Sequence, residues 1–440
     1  MSPQSHVTSA RPSLPRVVGV FGATMMGLGS IVGTGIFVSI GNAAGAAGPS
    51  VLLAIAVAAA VAALNGLSSA QLAAAHPVSG GTYEYGYRWL HPAFGFTAGW
   101  MFLWAKSASA ATAALGFAGY FLNLLGFGDA DGRVVTGVLA VAVLTLLVLN
   151  GIRRTNELNI AVVSITIMSL IAFVLAGFTT AWRQAPENIP SLQPAETSGF
   201  LEACALMFVA YTGYGRIATL GEEIRNPQRN IPIAIIVTSA VSMLLYLSVS
   251  CVAVATVGAE SLAESTRQHA APLEIVSRQF DVSWAWMIVA VGAVTSMLGV
   301  LLNLILGLSR VMLAMGRRGD LPSALGRLNR SEDTPSAAVV VVGMIIAGLV
   351  LLGDVKTTWS FSAFTVLVYY ALTNLAAIRM SGEERRYLRI VPWLGLVSCL
   401  FLAFWVEPVI WISGLGLIIL GLIWHVIANR LNRWKSAANT

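Results

Sequence analysis

Long stretches of apolar residues constrain the fold of this chain more than any other feature. A helix rises about 1.5 Å per residue, so about 20 apolar residues cross the hydrocarbon core of a bilayer, which is roughly 30 Å thick. Twelve such stretches lie near 17–40, 49–74, 93–125, 134–151, 158–182, 199–220, 231–257, 283–312, 336–353, 358–379, 389–406 and 408–428. The sequence therefore predicts an all-α integral membrane protein with twelve transmembrane helices.

The composition supports this class and excludes a water-soluble globule. Hydrophobic residues make up 57% of the chain and charged residues 10%, which is more apolar surface than one core can enclose. No small-residue cleavage site follows the first apolar stretch closely, so we expect that span to be retained and not removed as a signal peptide. The cysteines Cys204, Cys251 and Cys399 all lie in apolar stretches, where a thiol is typical of a small buried hydrophobic residue.

The basic residues predict the orientation in the membrane. Most of the 26 Lys and Arg residues fall in loops on one side of the predicted spans, including MGRRGD at 315–320 and EERRYLR at 383–389. The carboxylates show no such bias, as the positive-inside rule expects. We therefore expect both termini in the cytoplasm and a location in the cytoplasmic membrane. The net charge of +6 then indicates topology and contact with anionic lipid, not a nucleic-acid partner.

Two of the apolar stretches contain glycine-rich interruptions, GLGSIVGTGIF at 27–37 and AYTGYG at 210–215. Glycine inside a helix costs about 1 kcal/mol relative to alanine, and an unwound segment is tolerated in a bilayer only where it lines a cavity. The interruptions lie five spans apart in helices of opposite direction. This pattern is typical of inverted-repeat transporters that bind their substrate near the midplane. The alternative is that the small residues only allow close helix packing.

The same pattern predicts the domain organisation. Spans 1 to 5 and spans 6 to 10 would form the two halves of a 5+5 inverted repeat, with spans 11 and 12 added outside it. The predicted segments are a cytoplasmic tail at 1–16, the first repeat at 17–182, the second repeat at 199–379, the last two spans at 389–428 and a cytoplasmic tail at 429–440.

Four co-linear segments carry a family resemblance that extends over nearly the whole chain. They are GSIVGTGIF at 29–37, PVSGGTYEYGYRWLHPAFGFTAGW at 77–100, FVAYTGYGRIATLGEEIRNPQRNIPIAI at 208–235 and SRVMLAMGRRGDLP at 309–322. In these segments the chain resembles the amino acid-polyamine-organocation (APC) transporters. The resemblance implies a leucine-transporter-type fold with broken helices 1 and 6, secondary active transport without a cofactor, and an amino acid substrate bound as a zwitterion.

The interruptions also predict how such a substrate would be held. The N–H groups at 31–35 begin the second half of span 1, where the helix dipole favours a carboxylate, and the carbonyl groups near 26–29 and 208–210 suit an ammonium. The resemblance implies that Tyr211 and Tyr214 face the substrate side chain or act as a gate. Alternatively, the two tyrosines are ordinary packed aromatic residues. The resemblance also implies that Ser30, Gly33, Thr34 and Gly35 hold the carboxylate. The full set of predicted substrate-binding residues is Ser30, Ile31, Gly33, Thr34, Gly35, Phe208, Ala210, Tyr211, Gly213 and Tyr214.

The predicted proton-coupling residue is Lys106. Many proton-coupled members of the family carry a lysine in span 5, at a slot near Thr166 here, but this span contains no lysine. Lys106 lies in span 3. Placing an ammonium group inside the membrane costs about 3 kcal/mol or more, so a lysine at such a position indicates a functional role. Alternatively, its stem reaches the membrane interface, or the ammonium pairs with a carbonyl group or with Glu202.

Sodium is the alternative coupling ion, and Gly27, Thr295 and Ser296 are its candidate site. Uniport and amino acid exchange compete with symport. Arg216 directly follows the second interruption and is a candidate gate residue.

The sequence predicts neither an enzyme nor a metal site. The histidines lie at 6, 76, 91, 269 and 425 and form no HExxH pair, and the parts of a serine–histidine arrangement are missing. A channel or an amino acid sensor with the same fold remains an alternative to a carrier.

Overall fold

The structure, a computed structural model, describes residues 16–78, 80–127, 130–151, 156–219, 221–329 and 334–438. This part of the chain is helical and contains no β-strand, apart from one isolated parallel bridge between Val18 and Ile224. Most of the predicted cytoplasmic tail at 1–16 lies outside the described residues. The α-helices are α1 (Val20–Ile31), α2 (Ile40–Ala47), α3 (Val51–Ala75), α4 (Thr82–Trp89), α5 (Pro92–Leu124), α6 (Ala130–Leu149), α7 (Asn156–Asn188), α8 (Thr197–Tyr211), α9 (Gly215–Thr219), α10 (Pro227–His269), α11 (Pro272–Ser277), α12 (Ala285–Arg318), α13 (Ser336–Val350), α14 (Val355–Arg379), α15 (Ile390–Ala403) and α16 (Pro408–Ala438).

Every predicted apolar stretch coincides with helical structure where it is described, and most bounds agree within a few residues. The largest difference is in α10, which extends well beyond the predicted stretch at 231–257 and is kinked at Gly258, where φ is 77°. Seven helical segments of the described chain are long and apolar enough to cross a membrane, and α13 and α15 are shorter apolar helices. The all-helical membrane fold is therefore confirmed, whereas the number of twelve spans stays a prediction.

The interrupted helices lie in the interior of the helix bundle. Helix α1 packs against α7 and α10, α8 packs against α3 and α14, and α5 contacts both α12 and α14. The peripheral helices α6, α7 and α16 instead expose large apolar side chains, including those of Leu139, Met168, Leu175, Ile419 and Leu420. Exposed apolar surface of this extent is typical of lipid-facing helices.

Buried polar contacts fix the short helix α4 to the end of α12. The hydroxyl groups of Tyr83 and Tyr87 donate to the Asp320 carboxylate at 2.6 and 2.7 Å. The Trp424 indole of α16 donates to the Asp320 carbonyl oxygen at 2.8 Å. Charge-assisted hydrogen bonds of this kind are stronger than neutral ones, so they hold α4, α12 and α16 together at one end of the molecule.

One expectation about the cysteines is wrong. Cys204 and Cys399 are buried, but Cys251 is exposed on α10. An apolar stretch predicts that a residue avoids water but not whether it faces the protein interior or the lipid, because both environments select apolar side chains.

Candidate functional site

The first interruption breaks the helix at Val32 and Gly33. Helix α1 ends at Ile31, Val32 has an extended conformation, and regular structure resumes in a π-helical turn at Gly35–Ser39. The N–H groups of Gly33 and Thr34 donate to no acceptor within the described residues. A buried N–H group without a partner costs free energy unless a ligand accepts its hydrogen bond. The interruption therefore presents two donors to an anion.

Side chains of neighbouring helices occupy several of the carbonyl groups near the interruptions. Ser296 of α12 donates to the Val32 oxygen at 2.8 Å. The Tyr246 hydroxyl of α10 lies 2.6 Å from the Ile31 oxygen and 3.1 Å from the Ala210 oxygen. These contacts satisfy acceptors that lipid would leave unpaired. The free N–H groups at the first interruption therefore suit an anion.

The second interruption is a single 3₁₀ turn, Thr212–Tyr214, between α8 and α9. It touches the first interruption, because a Cβ atom at Gly213 would lie 2.5 Å from the Ser30 carbonyl oxygen. The Tyr370 hydroxyl of α14 donates to the Thr212 carbonyl oxygen at 3.0 Å and holds the turn in place. Only glycine allows two backbones to approach this closely.

A cavity of about 40 Å³ lies between the two interruptions. The Thr34 hydroxyl oxygen is buried without a hydrogen-bond partner among the described residues, and Thr34 belongs to the cavity wall. Ser30, Ile31, Thr34, Gly35, Lys106, Ser109, Val209, Ala210, Val300, Asn303, Leu304 and Trp359 line the cavity. Its mostly apolar wall with a few convergent polar groups has the composition of a small-molecule site, although the cavity is smaller than the roughly 300 to 1,000 Å³ usual for one.

Lys106 of α5 reaches the second interruption from the cavity side. Its Nζ atom donates to the Thr212 hydroxyl oxygen at 3.1 Å. Lys106 is half-buried and is the only ionisable side chain in the wall of the small cavity. The alternative that Lys106 pairs with Glu202 is wrong, because the Glu202 carboxylate lies 3.6 Å from the Lys356 ammonium.

A larger cavity of about 550 Å³ adjoins the first one. Ser30, Lys106, Asn303 and Leu304 line both cavities. The larger cavity continues past Arg216 to the beginning of α1, the segment before α4 and the second half of α12, and it is lined there by Val17, Gly80, Glu223, Arg310, Leu313 and Ala314. In the predicted topology, these segments lie on the side with most of the basic residues.

At the opposite end of the interruptions, the chain closes over the site. The Tyr120 hydroxyl donates to the Phe37 carbonyl oxygen at 2.7 Å and accepts the N–H of Leu273 at 3.2 Å. Leu273 belongs to α11, which contacts the π-helical turn, and all three side chains are buried. These contacts therefore join α5, the π-helical turn and α11 at this end of the site.

The structure brings together some of the predicted binding residues and places others elsewhere. Ser30, Ile31, Thr34, Gly35 and Ala210 line the small cavity, and Gly213 and Arg216 line the larger one. Phe208, Tyr211 and Tyr214 are buried outside both linings. The Tyr211 ring lies 4.9 Å from that of Tyr246, and the Tyr214 ring lies 5.5 Å from that of Tyr370. Gly33 faces α12, where a Cβ atom would lie 2.7 Å from Val300 Cγ2.

The three candidate sodium-site residues differ in their surroundings. Thr295 donates to the Val291 oxygen of its own helix at 2.7 Å, whereas Ser296 bonds to the first interruption. Gly27 faces α10, where a Cβ atom would lie 2.8 Å from the Thr238 hydroxyl oxygen. Of the three, only Ser296 has a side chain that bonds to the first interruption in the described structure.

Among the site residues that were not predicted from the sequence, four carry a polar group: Ser109, Tyr246, Asn303 and Trp359. A usable signal existed for Asn303, because Ser296, Val300, Asn303 and Gly307 follow one another at spacings of four, three and four residues along α12. Residues at these spacings share one helix face. The other three lie on long helices whose rotation the sequence pattern did not fix.

Comparison with known proteins gives matches along almost the whole chain. Residues 22–437 match the model of the Amino acid permease family. An uncharacterized transporter of Mycobacterium tuberculosis is 39% identical over 391 residues, which cover 89% of this chain and 86% of the relative. The branched-chain amino acid permease BcaP of Bacillus subtilis is 27% identical over 96% of this chain and 95% of its own. The methylthioribose transporter of the same bacterium is 26% identical over the same shares.

Proposed function

The chain belongs to the amino acid permease family of the APC superfamily, and we propose that it is a secondary active transporter that moves amino acids across the cytoplasmic membrane by proton-coupled alternating access. The observation that carries this proposal is the cavity between the two interruptions. Its wall combines the end of α1, the π-helical turn and Lys106. A site of this form binds a small zwitterion near the bilayer midplane.

The proposed architecture has twelve spans with both termini in the cytoplasm. Residues 17–182 and 199–379 form the two inverted repeats, and residues 389–428 form the last two spans. Two facts support the repeat: the interruptions occupy the first helix of each predicted half, and they touch through Gly213 and Ser30. The distribution of Lys and Arg residues supports the orientation.

In this proposal, the substrate carboxylate binds at the first interruption. The unpaired N–H groups of Gly33 and Thr34 and the Thr34 hydroxyl are its donors, and the positive end of the following helical segment adds to the attraction. The printed name of the Bacillus subtilis permease supports an amino acid substrate. Another relative, 26% identical, is named a methylthioribose transporter, so the name of a relative alone does not fix the substrate.

The conformation corresponds to an inward-facing state under the proposed orientation. The larger cavity leads from the small one to the side with most basic residues, while Tyr120, Phe37 and Leu273 close the other side. Alternating access requires a second conformation in which these contacts open and the cavity around Arg216 closes. Arg216 lies in the wall of the inner cavity, where it would act as a gate.

Lys106 is the proposed coupling residue. A half-buried ammonium with one hydroxyl partner carries an unfavourable charge that a proton release would remove, and its bond to Thr212 connects that charge to the second interruption. The sodium alternative at Gly27, Thr295 and Ser296 has less support. The Thr295 hydroxyl bonds within its own helix, and the Ser296 hydroxyl already donates to a carbonyl group.

Transport in proteoliposomes tests the proposal. The labelled substrate is the amino acid that gives the largest thermal stabilisation of the purified protein in a screen of twenty, since a ligand that binds the native state raises its stability. We expect accumulation driven by an inward proton gradient without sodium, and counterflow without any gradient.

Lys106→Met is the test variant and Lys356→Met, which removes an ammonium outside both cavities, is its matched control. Lys106→Met should lose gradient-driven accumulation and retain counterflow, at a reduced rate, at saturating substrate. Absence of counterflow in the wild type would favour a sensor or a channel. Accumulation that requires sodium, or that survives in Lys106→Met, would contradict the proton role.

A further inference from the structure

The two cavities carry an excess of positive charge. Lys106 is the only ionisable group in the small cavity, and it lines the larger one together with Arg216, Arg310 and a single carboxylate, that of Glu223. The guanidinium groups of Arg216 and Arg310 form no hydrogen bond or ion pair with any described residue. Walls of one sign of charge raise the local concentration of ligands of the opposite sign. The path to the site therefore favours anions.

The charge of Lys106 is not balanced within the site. Its ammonium has one hydrogen-bond partner, the hydroxyl of Thr212, and no carboxylate lines the small cavity. Glu202, the acidic residue of α8, instead forms a salt bridge with Lys356. A charge that is withdrawn from water without a counter-charge is costly. The described residues of the small cavity thus supply no counter-charge for the Lys106 ammonium.

The first interruption has free hydrogen-bond donors for one carboxylate. Within the described residues, the N–H groups of Gly33 and Thr34 donate to no acceptor, and the carbonyl oxygens of Ile31 and Val32 accept from Tyr246 and Ser296. A zwitterion brings one carboxylate, which the interruption alone can bind. Lys106 lines both the small cavity and the larger cavity that adjoins it, so its ammonium remains available for a second anionic group.

We propose that the substrate is a dicarboxylic amino acid, whose α-carboxylate binds at the first interruption and whose side-chain carboxylate pairs with the Lys106 ammonium. This inference rests on the proposed function and specifies its substrate class. Amino acids with cationic side chains are excluded, because they would place a second positive charge next to Lys106. Neutral side chains bind more weakly, because they leave the ammonium without a counter-charge.

The test compares binding of glutamate, aspartate, glutamine, leucine and arginine to the purified full-length protein by calorimetry. Glutamine has nearly the same shape as glutamate but no side-chain charge, so the pair isolates the charge. A hydrogen bond to a charged group is worth about ten- to hundred-fold in affinity. We therefore expect a dissociation constant for glutamate or aspartate at least ten-fold below that for glutamine, and no binding of arginine.

Lys106→Gln provides the second measurement, with Lys356→Gln as the matched control. In Lys106→Gln the preference for glutamate over glutamine should disappear, because an amide donates to both side chains but carries no charge. The control should keep the preference, since Lys356 pairs with Glu202 and Glu407 outside both cavities.

Three results would overturn the inference. Equal or tighter binding of glutamine or leucine by the wild type would exclude the substrate class while leaving an amino acid transporter intact. A preference for glutamate that survives in Lys106→Gln would exclude the role of Lys106. If no amino acid binds and none exchanges in counterflow, the proposed function itself fails, and the inference fails with it.

Discussion

The contact between the two interruptions makes a specific prediction for Gly213→Ala. The added methyl group would lie 2.5 Å from the Ser30 carbonyl oxygen, about 0.9 Å short of the 3.4 Å at which ordinary contacts begin. The Ser30 carbonyl belongs to the backbone, so it cannot move aside by a side-chain rotation. The protein must relieve the overlap by separating the two interruptions.

The size of the effect follows from the cost of overpacking. One extra methyl group in a tightly packed site costs about 1 to 3 kcal/mol. The free protein avoids much of this cost by widening the site, but a substrate that contacts both interruptions draws them together again. The strain therefore reduces the binding free energy by about 1 to 3 kcal/mol. Since about 1.4 kcal/mol corresponds to a factor of ten, the affinity should fall by about 5- to 150-fold.

Calorimetry with the best-stabilising amino acid measures this loss directly, and the thermal unfolding midpoint of the ligand-free protein separates it from misfolding. Gly348→Ala is the matched control, because an added methyl group there meets nothing within 4 Å inside helix α13. The control should keep its affinity and gain up to about 1 kcal/mol of stability from helix propensity. An unchanged dissociation constant in a well-folded Gly213→Ala protein would refute a binding site formed jointly by the two interruptions.

Two further predictions concern α1 and the loop before α4. Gly33→Val should weaken substrate binding at least ten-fold, because its Cβ would lie 2.7 Å from Val300 Cγ2. Combining Gly33→Val with Val300→Ala should restore part of the affinity in the same binding assay. If the double variant binds no better than Gly33→Val alone, a steric clash with Val300 is not the cause. Burial and the neighbouring Arg88 guanidinium lower the pKa of His76 from its usual 6.5. Below about pH 6.5, the His76 imidazole is therefore protonated more readily in the unfolded chain than in the folded protein. The free energy of unfolding of the wild type should therefore decrease as the pH is lowered from 7 to 5. Thermal unfolding of His76→Asn should show a smaller decrease over the same range, and an equal decrease in the wild type and the variant would contradict this prediction.

The sequence predicted where the helices break because glycine has a large and local effect on helix stability. Glycines at 27, 29, 33 and 35 pointed to an interruption, and the structure places it at Val32 and Gly33. The exact position depends on which carbonyl groups find partners. The Tyr246 and Ser296 hydroxyls, distant in sequence, bond to the Ile31 and Val32 oxygens, and no local pattern predicts such partners.

Helix rotation limited the prediction of individual side chains. Thr295 and Ser296 are adjacent in sequence, but adjacent residues on a helix point in different directions. Ser296 therefore reaches the first interruption, whereas Thr295 bonds back to the Val291 oxygen. In the same way, the apolar environment of Tyr211 and Tyr214 was evident, but only the packing against Tyr246 and Tyr370 shows which way the rings face.

The position of Lys106 links substrate selection to proton coupling. In the proposed complex, the side-chain carboxylate of the substrate pairs with Lys106 only while Lys106 carries its proton. Substrate binding and proton binding then favour each other, since a coupling free energy between two ligands is reciprocal. Because Lys106 also donates to Thr212 in the second interruption, the loss of its proton replaces a charge-assisted hydrogen bond by a weaker neutral one. Lys106 would thus bind the substrate only in its protonated form, and the release of that proton would act on the second interruption. A neutral residue at position 106 should therefore both uncouple transport from the proton gradient and broaden substrate selectivity.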